Sequence, residues 1–318
     1  MLIYAIFLLF VFALLALDLG VFHKSKKAVS MKESLAWTTV WVVLALLFGG
    51  VVYWMYDTNL LNVNPTGYSP GKALIDFYTG YLIEESLSLD NIFVMALIFS
   101  YFKIQEKYQH NILFWGIIGA VVFRLIMILL GTAFVKQFEW ATYIFGGILL
   151  FSAYKMLTGS DEESDFKKSF GIRLLSKVIP IDWEHQQGSY IVVHNGKRMA
   201  TILLACLVVI EFTDVLFAVD SIPAIFAVTK DPFIVFTSNI FAILGLRSLY
   251  FFLSGMLHRF EYLKYSLVFI LAFIGIKMLI VHWVEIPSLV SLSVIAVALA
   301  IGLLVSLKKT KHTKHTKQ

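Results

Sequence analysis

Glu211, Asp214 and Asp220 stand in one mostly apolar stretch, IEFTDVLFAVDSIPA, with Pro223 close behind. A second stretch, GYLIEESLSLDNIFV, carries Glu84, Glu85, Asp90 and Asn91, with Ser88 among them. Carboxylates joined by a carboxamide and by hydroxyls (Ser88, Thr213, Ser221) form an oxygen-only ligand set. Such sets suit magnesium, calcium and manganese. No histidine or cysteine accompanies either stretch, which argues against copper or a Cys/His zinc site. The same carboxylates can exchange a proton for a metal, making binding pH-dependent.

These acids lie in segments apolar enough for a bilayer, where each costs about 2.5–3.5 kcal/mol at mid-span. Two compensations are open, and they are compatible. In one, the acids pair with the four bases that fall inside apolar runs, Arg124, Lys155, Arg247 and Lys277. In the other, some of them hold a cation. Asp18, near the end of the first apolar run, caps, pairs with a base or guards an ion exit. At about 100° per residue, Glu211, Asp214 and Ser221 share one helix face, as do Glu84, Ser88 and Asn91. Asp90 and Asp220 lie about 120° away from those faces on an ideal helix. Pro223 removes a backbone donor, so an unwound turn beside Asp220 is expected to bring the acids together and to free carbonyls for an ion.

The elements that must position them follow from composition. The chain has 318 residues, 59% hydrophobic and 15% charged, and a mean hydropathy of +0.82. That is an all-α polytopic membrane protein. Runs of about 20 apolar residues predict nine spans at roughly 2–22, 34–56, 74–102, 110–135, 140–158, 200–227, 232–256, 265–284 and 287–307. The opening run is too long for a cleaved leader, has no basic stretch before it and is followed by no A-x-A-like cleavage site, so it is read as a retained first span. Lysines and arginines in the loops fall nineteen to one side and three to the other. This bias predicts the N-terminus out and the C-terminus in. The domain plan is then 1–158, membrane helices; 159–199, a cytoplasmic loop with a β-hairpin at Asn195-Gly196; 200–307, membrane helices; and 308–318, a basic cytoplasmic tail attracted to anionic lipid.

The two acidic stretches are also the starts of a repeat. Aligning Asp90 with Asp220 brings Glu84 onto Asp214 and Asn91 onto Ser221; Arg124 and Arg247 follow in the next spans, then Lys155 and Lys277. Spans three to five and six to eight therefore form an inverted three-helix repeat, because the third and sixth spans run in opposite directions. Inverted repeats suit alternating access, with the site at their interface.

Other chemistry finds little support. The one cysteine, Cys206, cannot form an internal disulfide and reads as a packing residue. Scattered methionines read as packing, and phosphate loops and HExxH are absent. Asp90 and Asp220 could imitate an intramembrane aspartyl protease, but the repeat with Asn91 and Ser221 fits a transporter better, so no enzyme and no prosthetic group is expected. The positive charge is assigned to loops and lipid rather than to nucleic acid.

The two signature stretches, the second continuing as IFAVTKDPFIVFTSNIFAILGLRSLYF, resemble those of the TerC family of bacterial integral membrane proteins, in its Alx-type branch. The likeness extends through YIFGGILLFSAYKML and FIGIKMLIV to nearly the whole chain. It implies a multi-pass protein of the bacterial inner membrane, acting in manganese homeostasis by export of Mn(II). The family name comes from tellurium resistance, and members are also linked to metal supply for exported proteins, which leaves a metal-responsive scaffold as the alternative. The positions matching the family motifs are Glu84, Asp90, Asn91, Glu211, Asp214, Asp220 and Ser221. Ser88 departs from them, since related chains often have alanine there. The expected partners are Mn, with Ca or Mg as competitors, and protons.

Overall fold

The computed structural model describes residues 2–22, 31–65, 67–138, 140–158, 166–184, 188–194, 196–254, 263–281, 283–284 and 286–315. Within these, the side chains of 18–22, 90, 93, 132–137, 141, 220, 263 and 307–315 lie outside the description. The helices are α1 (Leu2–Phe22), α2 (Met31–Asp57), α3 (Pro70–Tyr101), α4 (Glu106–Gln137), α5 (Ala141–Thr158), α6 (Phe170–Val178), α7 (Ile202–Phe226), α8 (Pro232–Ser254), α9 (Leu263–Ile280) and α10 (Ser288–His315). The sixth to ninth expected spans correspond in position to α7 to α10.

Five of these helices are long and apolar enough to cross a membrane among the described residues: Met31–Asp57, Glu106–Gly131, Ile202–Phe226, Pro232–Ser254 and Ser288–Ser306. The chain is thus a polytopic helical membrane protein. α3 is 32 residues long but falls outside that set, because Asp76, Glu84, Glu85 and Asp90 interrupt its apolar run. Large apolar side chains such as Leu9, Leu47, Leu130, Phe151 and Leu304 are exposed around the bundle. In water such a surface would be a liability; in lipid it is solvated.

α8 is the centre, with every residue from Phe233 to Tyr250 buried. α2, α3 and α4 pack around it, α7 packs on α4, and α5 packs on α9. Helices in lipid associate through close fit rather than through the hydrophobic effect, and the contacts bear this out. A Cβ on Gly146 would meet the Gly275 carbonyl at 3.0 Å, and one on Gly275 the Gly146 carbonyl at 3.1 Å. Phe7, Phe48, Phe77, Phe233, Phe236 and Phe241 interlock where α1, α2, α3 and α8 meet.

Between α5 and α7 lie α6 and a three-stranded sheet: β1 (Ile181–Asp182), β2 (Ile191–His194) and β3 (Lys197–Thr201), ordered β1-β3-β2. β2 and β3 are antiparallel with His194 opposite Lys197, and Gly196 between them has φ +76; Asn195 of the expected hairpin turn lies outside the described residues. β3 leads straight into α7 at Ile202.

Candidate functional site

Arg124, from the middle of α4, is 1% exposed and reaches three other helices. Its Nη1 donates to Glu84 Oε1 on α3, to Asn239 Oδ1 on α8 at 2.8 Å and to Ser221 Oγ on α7 at 3.4 Å. Its Nη2 donates to Asp214 Oδ1 on α7 at 3.4 Å. Asn239 is itself oriented by an Nδ2 bond to the Val235 carbonyl at 2.8 Å, one turn earlier. A guanidinium is the group that serves such a junction, because its planar fork carries several donors and stays charged. A buried charge must be paired, and here one base meets two acids.

One base does not satisfy every oxygen. Glu84 Oε2, Asp214 Oδ2, Glu85 Oε2, Glu211 Oε2 and Ser88 Oγ are buried and without a hydrogen-bond partner among the described residues. Acceptors left in this state in a membrane interior call for a proton, a water or a cation. Asn91 and Ser221 are buried too. Thr213, however, donates its hydroxyl to the Val209 carbonyl at 2.7 Å, the ordinary bond of a threonine within a helix.

Glu211 lies one turn before Asp214, and its carboxylate occupies the place a Cβ on Gly119 would take. Close by is a small cavity of about 10 Å³, enough for about one water, lined by Asp214, Arg247, Met95, Gly116 and Ala120 among others. Among the described residues no three Asp, Glu, His or Cys side chains group as a metal cage. Asp90 and Asp220 are on α3 and α7, but their side chains, like that of Asp18, lie outside the described residues.

Three expectations need correction. Lys155 is exposed on α5, away from the acids it was expected to neutralise. Lys277 is buried but donates to Ser291 Oγ on α10 at 2.8 Å; the carboxylate that acts on it is Asp76, not the signature acids. The order of bases along a repeat fixes their depth, not their direction around the helix. α7 also remains helical from Asp220 through Pro223 to Phe226. Pro223 falls in the last turn without interrupting the helix, and its own carbonyl accepts from Ala227 at 3.1 Å.

Two features escaped the sequence reading. Asn239 was visible as the most polar residue of the TSN triplet inside α8's apolar run. Asp76, two turns before Glu84 on α3, is completely buried. The Tyr68 hydroxyl donates to its Oδ2, while Oδ1 has no partner among the described residues. Asn64 braces Tyr68, accepting from its N–H at 2.6 Å and donating to its carbonyl at 2.8 Å. Burial first, then the bond to Asp76, pushes the Tyr68 hydroxyl up, which keeps it a donor.

The family model described as "Integral membrane protein TerC family" matches residues 69–314. The chain is 48% identical to an uncharacterized membrane protein of Myxococcus xanthus, over 96% of this chain and 92% of that one. It is 46% identical to a Salmonella typhi protein that carries the name membrane-bound redox modulator Alx, over 89% of this chain and 87% of the relative. For the Escherichia coli K12 protein of the same name the identity is 47%, over 86% and 84%. No solved structure matches the chain.

Proposed function

This chain belongs to the TerC family of integral membrane proteins, and we propose that it exports divalent cations, foremost Mn(II), across the bacterial cytoplasmic membrane. The cation enters between α3 and α7. Asp90 and Asp220 are its principal ligands, helped by Asn91 and Ser221, while Glu84, Asp214 and Glu211 complete the oxygen set or carry exchanged protons. Arg124 is the resident cation: with no metal present it holds Glu84 and Asp214, and it yields one of them when a doubly charged ion arrives. Arg247 plays the matching part beside the small cavity.

The observation that carries this reading is the set of buried carboxylate oxygens on α3 and α7 that have no partner among the described residues, around one shared arginine. Nine crossings, with the N-terminus outside and the C-terminus inside, belong to the same proposal, as does the inverted repeat. The packing lends support. Exchanging the triplets α3–α5 and α7–α9 turns the contact of α3 with α8 into that of α7 with α4, and leaves α5 on α9 unchanged; all three contacts exist. A two-fold relation between triplets requires that invariance.

The test is Mn(II) flux in proteoliposomes of the purified chain. Flux that disappears in Asp90→Asn and Asp220→Asn supports export. Folded, purified protein that binds Mn(II) but carries no flux favours the second reading, a metal-responsive scaffold for metalation or folding of exported proteins. The sheet and α6 between α5 and α7 give that reading its material.

A further inference from the structure

α6 presents three different surfaces to its surroundings. Gly171 and Ile172 are buried, and a Cβ on Gly171 would meet Phe212 at 2.7 Å and Val208 at 3.2 Å. That sector rests against α7, with Phe170 and Phe212 edge to face at 5.5 Å. Phe170, Leu174 and Val178 follow one another at helical spacing and are 68%, 48% and 81% exposed. Arg173 and Lys177 are exposed on the next sector around. On an ideal wheel the order is protein-facing, bare apolar, basic.

The depth of α6 explains the bare sector. The sheet that ends at Thr201 cannot sit in hydrocarbon, so α7 leaves the headgroup layer shortly after Ile202. Val208 and Phe212 lie roughly 9–15 Å along its axis, and α6 packs at their level. A short amphipathic helix at that height has protein on one side, acyl chains on another and headgroups on the third.

We infer that α6 is an interfacial helix which buries Phe170, Leu174 and Val178 in the bilayer and binds anionic phospholipid headgroups through Arg173 and Lys177. The apolar sector supplies insertion, and the cations select the charge of the lipid, each shifting the balance roughly fivefold. The inference does not depend on what the carboxylate site transports.

The experiment uses the full chain in vesicles of phosphatidylcholine alone or mixed with phosphatidylglycerol. An environment-sensitive fluorophore is placed on Val178→Cys, and on Ser176→Cys as the control. Cys206 is buried and does not compete for label. Blue-shifted emission at position 178, quenched by a lipid-attached quencher, with position 176 still aqueous, is expected. In the mixed vesicles, Arg173→Glu and Lys177→Glu should each cut that quenching severalfold, and in phosphatidylcholine they should leave it unchanged. An aqueous signal at position 178 in both membranes overturns insertion. Quenching indifferent to lipid charge and to both reversals overturns the headgroup site.

Discussion

Glu84 and Asp214, one on α3 and the other on α7, share the guanidinium of Arg124 on α4. The two acids are the pair that the sequence alignment of the two acidic stretches matches, and one base joins α3 to α7 through them. Removing Arg124 alone strands two buried carboxylates. Arg124→Met is expected to cost about 3–5 kcal/mol. Thermal unfolding in detergent checks this, and adding Glu84→Gln should recover part of the loss.

Metal binding at an oxygen site displaces protons. Mn(II) affinity should therefore rise with pH, about tenfold per unit for each proton released. Metal titrations of purified protein across a pH series measure the slope; a flat profile means the ligands carry no protons in the resting state.

Gly119 gives the Glu211 carboxylate its seat. Gly119→Ala should displace that carboxylate at a stability cost of about 1 kcal/mol and lower Mn(II) efflux. Gly50→Ala is the matched control, because nothing lies within 4 Å of the added methyl.

Tyr68→Phe removes the hydroxyl that donates to Asp76. The loss of this hydrogen bond to a buried carboxyl should cost about 1–3 kcal/mol, read from the melting curve. Asn64→Ala, which unties Tyr68 itself, should destabilise in the same direction.

Cys206 is buried and is the chain's only cysteine. Cys206→Ala should leave folding and Mn(II) flux intact, since the thiol is a small packing group in a mostly apolar cluster. A flux assay of Cys206→Ala beside the parent chain, with and without oxidant, checks this.

The helices were legible because an apolar run long enough to cross a bilayer has few other fates. The acids and Arg124 were legible because charge is rare in such runs. Partner choice was not. Lys277 turned to Ser291 on α10, and nothing in α9 alone says which way a lysine points. Asn239 earns its place through Arg124, which lies far away in the chain. Asp76 was hidden by its distance from the repeated motif, although it sits on the same helix. The unwinding expected at Pro223 does not occur, since α7 continues through the proline to Phe226.

α8 is enclosed from Phe233 to Tyr250, yet it is the least hydropathic of the five candidate crossing helices, at 1.5. Alone in lipid, Asn239 and Arg247 would have no shelter. Insertion of α8 by itself should therefore be costly, and packing on α2, α3 and α4 is what offsets that cost. Biogenesis has a sequence written into it, and a defect in an early helix should surface as failed insertion of a late one.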